Sequence, residues 1–291
     1  SVDLLAAING SPTQGFGYTT LMTNNGKMVN RGVEITLSGE IIRQKDFSWN
    51  ASLLYAFNRN KVKHISVQPS LWDSRISMPT SYPMVGKPLY GIYAYKWAGL
   101  NENGDPQVYD AENNVTSGPA RDYHALVYCG TTVPIHNASL TNVLRYKGFE
   151  FSAMLILDAG HKLRSSNIPS INMSNGRITS TAKGIVDRWT QPGDVTDVPR
   201  LLFSNDTENF NTHRTELYRY SDLFVYDASN IRLSNISLAY RVPAHWCKKI
   251  SLSGARLQFN VENVATFAFD SKANYDLGGK VKPNYVWGLY L

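Results

Sequence analysis

"YDASNIRLSNISLAYRVP", Tyr226 to Pro243, begins as an ordinary β-strand and then changes step. Its apolar residues stand at Ile231 and Leu233, then at Ile236, Leu238, Tyr240 and Val242, so odd positions give way to even ones across Ser234 and Asn235. Side chains of a strand alternate between two faces, and a slip of one residue carries an apolar row from one face to the other. Either the surroundings of this strand change partway along it, or a β-bulge at Ser234-Asn235 resets the face.

Segments on either side alternate without interruption. "FSWNASLLYAF" sets Phe47, Trp49, Ala51, Leu53, Tyr55 and Phe57 against Ser48, Asn50 and Ser52; "FEFSAMLILD" sets Phe149, Phe151, Ala153, Leu155 and Leu157 against Glu150, Ser152 and Asp158. "ARLQFNVEN", "NYVWGLYL" and "VEITLSG" behave in the same way, and helical periodicity is nearly missing. Such alternation fits a soluble sandwich with a dry inside, or a membrane barrel with lipid outside and a wet lumen.

Three features favour the barrel. Aromatic residues gather near strand ends (Phe47, Trp49, Tyr55, Phe57; Tyr285, Trp287, Tyr290), as interfacial girdles require. Connections alternate between tight ones, Gln44 to Asp46 and Lys147-Gly148, and long ones, about 58–139 and 159–229. Arg256, Glu262 and Glu150 stand mid-strand on the polar sides, which suits a wet lumen better than a dry core.

The composition agrees with this and excludes other classes. The 291-residue chain is 12% aromatic, with 17 Tyr and 6 Trp, but only 18% charged. Its net charge of +6 is dispersed among acids, which does not read as a nucleic-acid footprint. No apolar run approaches the ~18 residues of a membrane helix, which leaves a strand-built membrane protein open. Cys129 and Cys247 are expected to be unpaired thiols. The six His (His64, His124, His136, His161, His213, His245) include no i, i+4 metal pair, and no nucleophile or phosphate-loop motif occurs. "NENGDPQVYDAE", Asn101 to Glu112, has oxygen-bearing side chains spaced like a calcium loop, but Pro106 stands where glycine is needed, so a hairpin turn is expected. "GKPLYGIYAYKWAGLNENGDPQVY" predicts strands Leu89 to Trp97 and Gln107 to Tyr109 joined by that turn, and Asn167 to Asn211 reads as irregular loop. No residue is expected to be catalytic, and no cofactor or metal is expected.

Several long motifs now carry a resemblance. "NNGKMVNRGVEITLSG" (Asn24 to Gly39), "VGKPLYGIYAYKWAGLNENGDP" (Val85 to Pro106), "DRWTQPGDVTDVPR" (Asp187 to Arg200) and the Tyr226 to Pro243 strand occur in the order found in SusC/RagA-like TonB-linked outer-membrane transporters, and the match runs along essentially the whole chain. The resemblance implies an all-β fold, an antiparallel transmembrane β-barrel of about 22 strands in the whole family member, of which residues 1–291 look like the last third or so. Plug, TonB-contacting segment and leader are expected to be absent from this stretch. Long extracellular loops are expected at about 58–139, 159–229 and 264–283.

By the same resemblance the chain would be barrel wall and outer loops of a nutrient importer for glycan or peptide, in the outer membrane of a Gram-negative bacterium. Its partners would be the rest of the barrel with its plug, a SusD/RagB-like surface lipoprotein, TonB acting through the N-terminal part, and lipid. Trp72, Tyr82, Trp189 and Phe203 in the outer loops are candidates to stack on sugar rings or shape a peptide cavity, or else to pack as small cores. Asp187, Arg188 and Asp197 are expected as structural ion pairs, and Arg256 and Glu262 either as partners of each other or of the plug, or as contacts to substrate. Ile231 and Leu233 are expected to point into the barrel or pack under loops, and not to share the lipid face. The runner-up is a secreted or surface β-sandwich carbohydrate-binding module.

Overall fold

A computed structural model describes residues 2–9, 20–66, 74–118, 122–174, 177–178, 183–203, 212–249, 251–277 and 282–290. Alternating segments become the strands of one sheet: β1 (Val2–Asn9), β2 (Thr20–Arg43), β3 (Phe47–Ile65), β4 (His136–Tyr146), β5 (Phe149–Ala159), β6 (Asn230–Arg241), β7 (Arg256–Ala268) and β8 (Asn284–Tyr290). Spatial order equals chain order, and each register described pairs its strands antiparallel.

The tight turn between β4 and β5 shows how local chemistry sets this meander. Lys147 takes the left-handed region at φ 51°. A Cβ on Gly148 would stand 2.9 Å from the Arg241 carbonyl oxygen and 3.0 Å from the Tyr240 ring, so only glycine lets the turn approach β6.

The change of step in β6 proves to be a bulge. Against β5, Leu155 pairs with Leu233 and Met154 with Asn235, leaving Ser234 without a partner. Against β7, Leu233 pairs with Ala265 and Asn235 with Glu262, and Asn263 nearby takes a φ of 54°. Because β5 alternates against β4 without interruption from Phe149 to Ala159, it defines the faces on both sides of the bulge. Leu157, Leu155, Ala153, Phe151 and Phe149 stand beside Ile231, Leu233, Ile236, Leu238 and Tyr240 in turn. The expectation that Ile231 and Leu233 leave the apolar face is therefore overturned: the extra residue returns them to it, and Ile231 is 37% exposed there.

The chain divides into two compact units. One holds most of the sheet, without β1 and the outer parts of β2 and β3: Arg31–Arg59, Pro134–His161 and Asp227–Leu291. The other gathers Ser1–Asn30, Asn60–Val133 and Lys162–Tyr226. In this second unit Gly91–Tyr95 pairs with Leu126–Thr131, and Trp97–Leu100 pairs with Pro106–Tyr109, which pairs with Val115–Thr116. The expected strand Leu89 to Trp97 is thus broken at Lys96, and its first half finds a more distant partner. All five residues of Gly91–Tyr95 are buried, so both of its faces are covered and alternation says nothing about it.

The unit's core is Tyr93, Tyr95, Val108, Ala125, Leu126 and Leu217, with a second cluster of Ile171, Tyr218 and Phe224; Trp97 packs against both. Helix α1 (Thr212–Arg219) delivers Arg214, Leu217 and Tyr218 to this interior at i, i+3 and i+4 spacing. Cys129 and Cys247 are free thiols.

Candidate functional site: a two-faced sheet and a loop unit tied by arginines

Across the sheet, register places side chains in rows. Near the tight turns the apolar face runs Phe47, Tyr146, Phe149, Tyr240, Leu257, Leu289, followed by Trp49, Leu144, Phe151, Leu238, Phe259, Trp287. Past a smaller middle row, leucines Leu53, Leu140, Leu155 and Leu233 cross with Ala265. At the far end stand Tyr55, Leu157, Ile231, Phe267 and then Phe57 and His136. The face is open to its surroundings: Phe267 is 60% and Trp287 83% exposed. A soluble monomer does not leave so continuous an apolar surface bare.

Two pairs of polar groups on this face meet each other. Trp49 Nε1 donates to Asn142 Oδ1 at 3.1 Å, and the Tyr55 hydroxyl meets His136 Nδ1 at 2.8 Å. Both hydrogen bonds satisfy polar atoms, which lowers the cost of an apolar surrounding.

The opposite face is polar and cross-linked. Glu150 takes Arg145 at 2.7 Å and Arg256 at 3.0 Å, joining β4, β5 and β7. Asp158 accepts from Asn137 at 2.7 Å and lies 3.5 Å from Arg232, while Gln258 donates to Ser237 and Asn260. Arg256 and Glu262 do not pair with each other: Arg256 goes to Glu150, and Glu262 accepts from Asn284 at 3.3 Å.

In the loop unit the ordering charge is Asp105. Its carboxylate receives Arg200 Nη2 at 2.7 Å and Arg214 Nε at 3.1 Å. Arg214 is only 2% exposed and also donates to the carbonyls of Ile171 and Arg200 and to Asn172 Oδ1. The expected ion pairs of Asp187, Arg188 and Asp197 do not form among the described residues. Asp187 and Arg188 make backbone contacts with Thr196 and Ile185, and Asp197 accepts from Trp97 Nε1 at 2.8 Å. Asn101, at the start of the calcium-like stretch, accepts from the backbone of Asn103 and Asp105 and closes the hairpin turn.

The four ligand candidates fall in different places. Trp72 lies outside the described residues. Tyr82 is half-buried, and its carbonyl accepts from Arg75. Trp189 packs its ring over Gly104, whose φ of 74° and missing Cβ make room for it, and its backbone N–H donates to the Val198 carbonyl. The Phe203 backbone pairs with Met173 in a short parallel ladder.

A cavity of about 390 Å³ opens elsewhere in the loop unit, lined by Arg164, Ser166, Ile168, Thr215, Arg219 and Tyr220 among others. Sequence reasoning missed it because its two sides, 164–170 and 215–220, are far apart in the chain and neither carries a motif.

A scan against models of known protein families matches none. Curated relatives do match. TonB-dependent receptor P3 of Formosa agariphila is 24% identical over 94% of this chain and 28% of its own length. TonB-dependent receptor P26 of the same organism is 25% identical over 82% and 24%. TonB-dependent receptor SusC of Bacteroides thetaiotaomicron is 22% identical over 86% and 24%. The fold is shared with a chain of the RagAB peptide importer in its open-open state, at TM-score 0.69 and 20% identity, covering 99% of this chain and 31% of that one. A structure of the RagAB peptide transporter gives TM-score 0.70 and 21% identity, over 96% and 31%. The resemblance to SusC/RagA-like TonB-dependent receptors is borne out, and this chain spans about a quarter of the curated relatives' length.

Proposed function

We propose that this chain forms barrel wall and extracellular loops of a TonB-dependent importer in a Gram-negative outer membrane, and that it serves uptake of glycan or peptide. The observation that carries the reading is the sheet with one bare apolar face and one polar, ion-paired face. In a barrel the first meets lipid and the second lines the lumen. A sandwich would bury the first against another sheet, yet Trp287 on it is 83% exposed.

Dimensions support the same reading. Strand β5 carries the apolar face over 11 residues. At about 3.3 Å per residue and a tilt of 35–45°, that spans roughly 25 Å across the membrane, the height of an outer-membrane apolar band. A SusD/RagB-like lipoprotein at the outer surface and TonB on the inner side complete the proposal, with import driven through a plug and not by chemistry of this chain's residues.

Single-tryptophan versions of the full-length protein test it in vesicles of bromine-labelled lipid. Trp49 and Trp287, on the apolar face, are expected to be quenched strongly, and Trp97 and Trp189 of the loop unit weakly. A protein that stays monomeric without detergent, with Trp287 unquenched, overturns the barrel in favour of the sandwich.

A further inference from the structure

The loop-unit cavity has an unusual charge arrangement. Arg164 points its guanidinium at three backbone carbonyls: Nη2 donates to Tyr93 at 2.7 Å, and Nη1 to Arg219 and Ser221 at 3.3 Å each. No carboxylate among the described residues lies within ion-pair distance of it. A guanidinium has five N–H donors, so two remain available. Arg164 and Arg219 both lie over the Tyr220 ring, at 5.5 and 5.8 Å, which brings two positive charges to one ring.

Each nearby acid has another hydrogen-bond partner, and Asp222 acts on Arg164 only at longer range. Glu216 holds His213 at 3.1 Å, Asp222 accepts from the Trp97 backbone at 2.9 Å, and Asp105 is occupied by Arg200 and Arg214. Burial is the main cause pushing the Arg164 pKa down and the neighbouring Arg219 adds to it, while Cys129, Tyr220 and Asp222 oppose it. The half-buried charge of Arg164, with the exposed charge of Arg219 near it, is eased when an anion joins them. The remaining lining has hydroxyl groups from Ser166, Thr215 and Tyr220 and an apolar side from Ile168, in a volume that suits one sugar ring or one amino-acid side chain with its backbone.

We propose that this cavity receives a carboxylate of the imported solute, gripped by Arg219 and Arg164, with the Tyr220 ring alongside. The inference rests on the importer reading and narrows its cargo to acidic molecules. The carboxylate could belong to an Asp- or Glu-bearing peptide or to a uronic-acid glycan, and the chemistry of the grip is the same for both.

The test is calorimetric titration of the detergent-solubilised full-length protein with two matched pairs. One is a capped pentapeptide with a central Asp and its Asn counterpart; the other is digalacturonate and its methyl ester. At least one acid is expected to bind about tenfold more tightly than its neutral partner, by an advantage that shrinks between about 0.05 and 0.5 M salt. Arg219→Gln, at an exposed side chain, should erase the preference and Arg219→Lys should restore part of it. Which pair shows the preference identifies the source of the carboxylate. Equal binding of both members in both pairs, no binding in either, or a preference surviving Arg219→Gln overturns the proposal. Vesicle insertion of the same preparations is scored separately, so a protein that fails to insert sinks the importer reading while the titrations still decide the cavity.

Discussion

Asp105 sits at the end of a hairpin turn, yet it neutralises Arg214 on α1, more than a hundred residues later in the chain. Arg214 is nearly sealed from water, so Asp105→Ala would leave a buried cation with only neutral acceptors, at a cost of about 3–5 kcal/mol. The expected outcome is a lower melting temperature and faster proteolysis within 183–203, with the sheet's strand signal retained. Cys129 offers a second check at this scale. Burial first and Asp222 second push its thiol up to about 11. At pH 8 only roughly one molecule in a thousand then carries the thiolate, so maleimide labelling should be slow and accelerate about tenfold per pH unit toward pH 11. Rapid labelling at pH 8, with the rate flat above it, would contradict the described environment. None of this was legible in the sequence: a lone Asp in a turn and a lone Cys carry no sign of a partner many residues away.

At the scale of the element, β6 turns on Ser234. The two sets of apolar positions were plain in the sequence; which face each took was not. One extra residue and a change of surroundings leave the same pattern in one dimension, and only pairing with β5 and β7 separates them. Deleting Ser234 should pull Ile231 and Leu233 to the polar side. A Leu233→Cys reporter in the full-length protein is expected to react with a membrane-soluble reagent and resist a water-soluble one, and the deletion should reverse that order. If the order holds after deletion, the bulge does not set the face. Strands β3, β5 and β7 were readable because each separates a water-facing side from an apolar one. Helix α1 was not, since its buried positions read Arg214, Leu217 and Tyr218. Its hidden stripe begins with a charge, so the apolar repeat of a helix is interrupted at the residue that matters most. Gly91–Tyr95, covered on both sides, was half read: its strand character showed, its partner did not.

For the whole molecule, the sheet class and transporter likeness followed from sequence because they depend on many repeated positions. The cavity depends on a few unique ones, which is why composition and periodicity passed over it. The pairing of Asp105 with Arg200 and Arg214 has a further consequence for how such proteins diversify. The acid comes from the connection after β3 and both bases from the connection after β5. The two connections therefore cannot be inherited separately: grafting one of them from a relative with other residues at these places would strand a charge in the interior. A chimaera exchanging 66–135 alone is expected to be made poorly, and one exchanging 66–135 together with 160–229 to be made well, as read by the yield of folded protein. In this molecule the unit of recombination is larger than the loop.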